Sequence, residues 1–312
     1  MDIAETADRI RKNIQKVIVG KDEVIDQALV AVLCEGHVLL EDVPGIGKTT
    51  LARAMAASLG ATFRRIQFTP DLLPSDVTGL NWFNQKKQEF EFRPGPIMSQ
   101  VVLADEINRA TPRTQSALLE AMQERQVTVD GVTRSQPRPF LVLATQNPVE
   151  LEGTFPLPEA QIDRFLLRVE IGYPSVEEEN DILERFRASE PLETLGAVTT
   201  PEEILEQIKA RKEIRVEDSV RNYIVQVARA TRGHPEVDLG ASPRATLALY
   251  QAAQAWAAIQ ERKYVLPDDV KAMAPPVITH RLMISPQAQL RGRQPEELVA
   301  DIVDSVPVPV EG

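Results

Sequence analysis

The stretch that decides the fold runs from residue 37 to residue 60 and reads HVLLEDVPGIGKTTLARAMAASLG. It begins with a short apolar run typical of a buried strand. A turn rich in proline and glycine follows, and from Lys48 the pattern is helical until Gly60 ends it. A glycine-rich turn between a strand and a helix lets backbone N–H groups and the helix dipole hold phosphate groups. The stretch therefore predicts a phosphate-binding loop inside an α/β fold.

The loop residues have separate expected roles. Lys48 should reach the β- and γ-phosphates of a nucleotide, and the hydroxyl of Thr49 should bind Mg²⁺. The strict pattern requires glycine at position 42, where this chain has Asp42, and we interpret that as a tolerated variant because the GxGKT end is intact. A dinucleotide fold needs GxGxxG, and Thr50 stands where its third glycine would be. The predicted nucleotide contacts in the loop are Pro44, Gly45, Ile46, Gly47, Lys48, Thr49 and Thr50.

Two acids follow another apolar run. Val101 to Ala104 predicts a buried strand, and Asp105 and Glu106 stand at its end. Acids at the carboxyl end of a neighbouring parallel strand point into the same crevice as the phosphate loop. We expect Asp105 to hold Mg²⁺ and Glu106 to orient and polarise the attacking water. An ordinary acidic helix cap is the alternative, which is weak with a phosphate loop upstream.

A third apolar run, 140–144, ends in Thr145-Gln146-Asn147-Pro148. Asn147 could lie between the two phosphate-site elements and help to place the water. A plain turn is the alternative, because Asn-Pro favours turns.

The rest of the chain predicts an α/β core followed by a helical domain. Apolar strands alternate with helical patterns as far as Tyr173, which indicates a parallel sheet covered by helices on both faces. Residues 71–96 look irregular, and 126–137 look like a hairpin around Asp130-Gly131. After Pro174 the pattern is helical. We therefore expect a core over 1–173 and a smaller all-helical lid domain over 174–312.

Composition narrows the function. The net charge of -11 disfavours sequence-independent binding to nucleic acid, which needs a basic face. No basic segment precedes an apolar stretch at the start, and no apolar run is long enough to span a membrane, so we expect a cytoplasmic protein. Cys34 is the only cysteine and lies in an apolar run, so we expect a core thiol. The three histidines, among them His234, are not clustered with it as a metal site would require.

Six motifs occur in one order along the chain: VPGIGKTT, VLADEINRA, TQSALLEAMQE, ATQNPVE, EGTFPLPEAQIDRF and ASPRA. In that order they resemble the MoxR branch of the AAA+ ATPases, and the resemblance covers about residues 19 to 244. It implies a P-loop AAA+ core with a helical lid, ATP and Mg²⁺ as ligands, and a homo-oligomeric ring that we expect to be a hexamer. It also implies a chaperone-like task in the maturation of client proteins or the insertion of their metal cofactors, together with a partner that carries a von Willebrand factor A domain.

The resemblance assigns roles to further residues. Lys48 and Thr49 match Walker A, Asp105 and Glu106 match Walker B, and Asn147 matches sensor 1. Arg244 matches sensor 2, and Arg164 matches the arginine finger that acts on a neighbouring subunit, with Arg109 and Arg113 as rivals. Val19 and Gly20 match the segment beside adenine. The stretches 71–96 and 126–137 match the insertion in helix 2 and the hairpin before sensor 1.

Several interpretations stay open. The aromatic residues of the first insertion could form a remodelling surface or a small local core: Trp82, Phe83, Phe90 and Phe92. Two other functions compete with ATP hydrolysis, a non-hydrolysing nucleotide switch and a nucleic-acid motor. Glu106 disfavours the first. The acidic charge disfavours the second, as does a hairpin with only Arg134 and Arg138 as basic residues.

Overall fold

The computed structural model describes residues 2–146, 153–187 and 190–309. Its helices are α1 Ile3–Ile14, α2 Asp22–Leu33, α3 Lys48–Ser58, α4 Pro74–Thr78, α5 Pro112–Glu124, α6 Glu159–Ile162, α7 Val176–Phe186, α8 Pro201–Arg211, α9 Asp218–Arg232, α10 Pro243–Ile259, α11 Pro267–Ile278, α12 Pro286–Leu290 and α13 Pro295–Ser305. Its strands are β1 Val38–Glu41, β2 Phe63–Gln67, β3 Gly79–Asn84, β4 Glu89–Pro94, β5 Val101–Asp105, β6 Gln126–Val129, β7 Val132–Ser135, β8 Leu141–Gln146, β9 Leu167–Val169, β10 Val237–Leu239 and β11 Met283–Ile284. Among these residues, no helix is long and apolar enough to cross a membrane.

A five-stranded sheet in the order β2-β5-β8-β1-β9 forms the core, and all its neighbouring strands are parallel. Alternate residues of one strand face two different cores: Leu103 packs with the first core and Val102 with the second. Both faces of the central strands are thus buried, which is why β1, β5 and β8 appear as apolar runs rather than alternating ones. The predicted parallel sheet between helices is confirmed.

The sheet brings together segments that are distant in sequence. Glu41 is in register with Gln146, and Gln67 with Asp105, so four strand ends meet at one edge. This edge carries the loop before α3, because parallel strands connected through helices all end on the same side.

The first insertion is more regular than expected. Residues 71–96 were predicted to be irregular, but they contain α4 and the antiparallel hairpin β3–β4. Proline and glycine conceal the pattern: Pro74 begins the short helix, and Gly79 begins the hairpin with φ +95°. The second predicted hairpin is present as β6–β7, with Asp130 and Gly131 both at positive φ, as Asp-Gly turns favour.

The two hairpins contact each other. Asn81 Nδ2 donates to Asp130 Oδ2 at 2.8 Å, and the Arg134 guanidinium lies 3.9 Å from the centroid of the Phe92 ring. Phe83 and Phe90 pack edge to face at 5.3 Å, although Phe90 remains 73% exposed. None of the four aromatic residues belongs to a buried core among the described residues, so they do not form a small local core, and their role as a remodelling surface stays a prediction.

The second half of the chain is helical, as predicted, with one addition. After β9 the structure contains α7 to α13 and a short antiparallel pair, β10 with β11. Alternation over two or three residues is too short to distinguish such strands from loops in the sequence. The lid helices α8 to α11 share one apolar core with α1, α2 and α3, so lid and nucleotide loop pack on the same side of the sheet.

Cys34 packs against this core, and its thiol donates to the carbonyl of Gln251 at 3.3 Å. Burial raises the pKa of the thiol to about 12, so the group stays protonated and unreactive. His234 accepts a hydrogen bond from the backbone N–H of Glu236 at its Nδ1 atom, which fits a structural role.

Candidate nucleotide site

The loop between β1 and α3 has the geometry of a phosphate cradle. Gly45 and Gly47 adopt φ of +88° and +95°, a region that glycine enters without strain. Gly47 is the N-cap of α3, and no side chain caps the helix, so the first N–H groups of α3 stay available for an anion. Lys48 Nζ donates to the carbonyl of Asp42 at 2.6 Å. Burial lowers the pKa of Lys48, and nearby acids oppose that shift.

The conformation and contacts of Asp42 explain why this position does not need the glycine of the strict pattern. Its backbone is not in the left-handed region, so glycine is not required there. Its carboxylate accepts a hydrogen bond from the N–H of Val43 at 2.8 Å and from that of Gly172 at 2.6 Å. The side chain thus ties the start of the loop to the segment that follows β9, a link glycine could not make.

The two acids after β5 are held from several sides. Thr145 Oγ1 donates to Asp105 Oδ1 at 2.6 Å and accepts from the backbone N–H of Glu106 at 2.8 Å. Arg65 forms an ion pair with Asp105 Oδ2 at 2.6 Å. Gln67 Nε2 donates to Glu106 Oε2 at 2.8 Å, and Glu106 itself has φ of 57°.

Three residues of this site were not predicted from the sequence to have a role: Arg65, Gln67 and Thr145. Thr145 lies in the ATQNPVE motif, two residues before Asn147, and its position at a strand end was the available signal. Arg65 and Gln67 lie on β2, where nothing in the sequence distinguishes them from solvent-facing residues.

A cavity of about 400 Å³ joins these groups. Its lining contains most of the predicted phosphate and metal contacts together with the missed residues: Pro44, Gly45, Gly47, Lys48, Thr49, Thr50, Arg65, Gln67, Asp105, Glu106 and Thr145. The structure thus brings Thr49 and Asp105 to one place. Asn147 lies outside the described residues.

A second cavity, of about 410 Å³, adjoins the loop on its other side. Val19 lines it, with Ile46, Tyr173 and Phe186, so it is mostly apolar, as a site for a purine base would be. Gly20 lies next to Val19 with φ of 67°, and a Cβ atom there would come within 1.7 Å of Glu178 Oε1. Gly20 is therefore a close-approach position beside this cavity rather than part of its lining.

The four arginine candidates are in different environments. Arg109 Nε lies 3.4 Å from Glu106 Oε2 of its own subunit, and Arg113 is exposed. Arg164 is half-buried beside Asp163. Arg244 Nη1 lies 3.6 Å from Asp163 Oδ2, and neither Arg164 nor Arg244 lines the two nucleotide cavities.

Asp163 connects the core to the lid. Arg281, only 8% exposed, donates from Nε to Asp163 Oδ1 at 2.7 Å, and its Nη1 donates to the carbonyl of Leu166 at 3.2 Å. Ser242, the N-cap of α10, donates to Asp163 Oδ2 at 3.4 Å. The sequence singled out Arg164 and Arg244 but not the carboxylate of Asp163, which precedes Arg164 and pairs with Arg244.

The donor set fits a nucleotide with Mg²⁺. Mg²⁺ prefers a few hard oxygen ligands together with substrate phosphates and water, and the Asp105 carboxylate and Thr49 hydroxyl are such ligands in one cavity. No cluster of three or more histidine, cysteine or acidic ligands occurs in the described part of the chain. A cation held in this cavity would therefore depend on phosphate oxygens for the rest of its coordination.

Comparisons with known proteins agree with this geometry. Residues 37–167 match the model of the ATPase family associated with various cellular activities (AAA), and residues 229–302 match the AAA lid domain. The YeaC protein of Bacillus subtilis is 54% identical over 96% of this chain and 94% of its own length. Chaperone MoxR1 of Mycobacterium tuberculosis is 43% identical over 97% of this chain and 82% of its own length.

The fold comparison leads to the same family. The crystal structure of a candidate ATPase from Cytophaga hutchinsonii is 36% identical and superimposes with a TM-score of 0.92, covering 99% of this chain and 96% of that one. The alignment with chaperone MoxR1, at 43% identity, covers 97% of this chain and so includes both the nucleotide loop and the lid. The chain belongs to the MoxR family of AAA+ ATPases.

Proposed function

We propose that this protein hydrolyses ATP with Mg²⁺ and works as a ring of identical subunits. The observation that carries the proposal is the convergence of Lys48, Thr49, Asp105 and Glu106 on one cavity at the carboxyl edge of the sheet. A binding-only site would need the cradle but not a carboxylate free to act on water. Glu106 lines this cavity beside the cradle, which favours hydrolysis over a non-hydrolysing switch.

The chain's own residues divide the chemistry. Bound Mg²⁺ would supply charge neutralisation on the phosphates, with Asp105 and Thr49 as its protein ligands. Lys48 compensates phosphate charge, and Glu106 orients the attacking water and accepts its proton. Gln67 holds Glu106 Oε2 at 2.8 Å, which leaves Oε1 as the oxygen without that restraint.

The active site is shared between subunits in this proposal. An arginine that acts on the transferring phosphoryl group stabilises its charge in related enzymes. Arg65, which lines this cavity, is paired with Asp105, and Arg109 lies against Glu106. Arg244 pairs with Asp163, which precedes Arg164 in the chain, and neither arginine lines the nucleotide cavities of its own subunit. We therefore assign both to the site of a neighbouring subunit, with Arg164 as the finger.

The same arrangement revises the expectation for Arg244. Arg244 matches sensor 2, and its Nη1 atom lies 3.6 Å from the carboxylate of Asp163, the residue before Arg164 in the chain. We propose that Arg244, like Arg164, acts on the nucleotide of a neighbouring subunit. Asn147 keeps its proposed role beside the water.

The cellular role follows from the family. We propose a chaperone-like function in the maturation of client proteins, with a von Willebrand factor A domain protein as partner in the cytoplasm. The paired hairpins carry exposed Trp82 and Phe90, which suit contact with a protein. The two hairpins do not carry enough net positive charge to favour binding to nucleic acid. A nucleic-acid motor is therefore the second-ranked alternative function.

The test separates binding from chemistry. Lys48→Ala should abolish ATP binding, because phosphate charge is left uncompensated. Glu106→Gln should bind ATP and release phosphate very slowly, because only the water loses its partner. Nucleotide binding by fluorescence titration and phosphate release would be measured on both. Equal binding and equal turnover in the two variants would refute the assignment, and slow turnover with rapid nucleotide exchange in the unmodified protein would favour the switch.

A further inference from the structure

A buried amide joins two functional segments. Gln115 lies on α5 and is 1% exposed. Its Nε2 atom donates to the carbonyl of Ile107 at 3.0 Å and to that of Phe155 at 2.8 Å. Ile107 directly follows Glu106, whereas Phe155 belongs to residues 153–164, which we call the arginine segment because Arg164 ends it.

The same two segments also bond directly. The N–H of Phe155 donates to the carbonyl of Asn108 at 2.6 Å. Leu157 and Ile162 of the arginine segment pack in the second core against Ile107. Both amide hydrogens of Gln115 are thus used to continue a backbone pairing that the two segments begin themselves.

The far end of the arginine segment is held by the lid. There Arg281 and His280 of the lid bind the carbonyl of Phe165, at the point where β9 is about to begin. The segment is therefore held at one end by the lid and at the other by the turn that carries Glu106. A displacement of that turn is therefore passed by hydrogen bonds to Phe155, and from there along the arginine segment to Arg164.

We infer that Gln115 is a positioning residue that couples the Glu106 turn of one subunit to the arginine which that subunit presents to its neighbour. This inference rests on the proposed trans role of Arg164. Gln115 lies in neither nucleotide cavity, so it acts through the position of the arginine segment. If the two N–H donors of Gln115 are removed, the carbonyls of Ile107 and Phe155 lose their common partner. The arginine segment is then no longer held in a fixed position relative to the Glu106 turn.

The experiment uses mixed rings in which each subunit lacks one function. In the reference mixture, Lys48→Ala subunits supply Arg164, and Arg164→Ala subunits supply the intact nucleotide site. Gln115→Met is then added either to the arginine-donating subunit or to the hydrolysing subunit. Gln123→Met, an exposed glutamine on the same helix, is the matched control.

The expected result is asymmetric. A small misplacement of a catalytic group can cost about 10²-fold in rate, so recovered ATPase should fall roughly 10- to 100-fold when the arginine donor carries Gln115→Met. It should stay within about twofold of the reference when the hydrolysing subunit carries it, since that subunit's own arginine is already absent. Nucleotide affinity should not change in either arrangement, and Gln123→Met should match the reference.

Three outcomes would overturn the inference: a loss that follows the hydrolysing subunit, an equal loss in both arrangements, or no loss at all. Failure of the reference mixture to recover ATPase in rings proven by mass measurement would instead refute the trans arginine itself, and the inference with it. Gln115→Glu, which keeps the side-chain volume and replaces the amide donor, serves as the second variant if Gln115→Met does not fold.

Discussion

The hydroxyl of Thr145 should matter to catalysis because it holds both acids of the site. It donates to Asp105 Oδ1 at 2.6 Å and accepts from the Glu106 N–H at 2.8 Å. Thr145→Val keeps the shape of the side chain but removes the hydroxyl that donates to the Asp105 carboxylate. It also leaves the backbone N–H of Glu106 without its partner, at a position where Thr145 itself is only 1% exposed. Both losses act on the two acids of the site.

The magnitude follows from the contacts. A hydrogen bond to a charged group contributes about 1.5–3 kcal/mol, and about 1.4 kcal/mol corresponds to a tenfold change in rate. We therefore expect kcat/KM for ATP to fall about 10- to 100-fold, with a higher Mg²⁺ concentration at half-maximal activity. Steady-state phosphate release at several Mg²⁺ concentrations measures both. Thr145→Ser keeps the hydroxyl and should retain most of the activity.

The refuting result is equally specific. If Thr145→Val and the unmodified protein had equal kcat/KM and equal Mg²⁺ dependence, Thr145 would not organise the acids. Denaturant unfolding of the same variant distinguishes a local effect from general destabilisation, because only the latter would shift the midpoint in proportion to the lost rate.

Three other predictions concern stability. Gly20→Ala should lower the free energy of unfolding by about 1–3 kcal/mol, because it forces an alanine to positive φ against Glu178. Gly233→Ala is the control, since Gly233 has open space around its Cβ position and φ of -104°. An equal effect of the two substitutions would contradict the reasoning. Asp163→Asn should lower the free energy of unfolding by about 3–5 kcal/mol. We expect a value near the lower end, because backbone carbonyls still bind Arg281. An unchanged urea midpoint would exclude Asp163 as the counter-ion of Arg281. Burial lowers the pKa of His37 to about 4, below the value of about 6.5 in an unfolded chain, so the unfolded state binds the proton first and stability should fall as pH drops from 6.5 to 4. The loss attributable to His37 is at most about 3 kcal/mol, and His37→Gln should reduce the slope of unfolding free energy against pH over that window, whereas an identical slope would assign the acid sensitivity to other groups.

The sequence by itself determined the parts of the site whose physics is local. A strand, a glycine turn and a helix start are contiguous, so the loop from Pro44 to Thr50 could be predicted with its roles. The same holds for Asp105 and Glu106, because an apolar run followed by two acids is visible along the chain. Continuous apolar runs predicted the parallel sheet, since only strands buried on both faces lose their alternation. Val19 and Gly20 depended on family resemblance rather than on any local pattern.

Only the tertiary structure decided which side chains complete the site. Arg65 and Gln67 reach the two acids because β2 pairs in register with β5 across 40 residues of sequence, including the first insertion. Asp163 meets Arg281 only when the lid packs on the core, 118 residues later. Gln115 joins Ile107 to Phe155 because α5 folds back across both segments. These contacts are set by strand order and by how the lid packs, and neither leaves a periodic or compositional signal in the residues that it brings together.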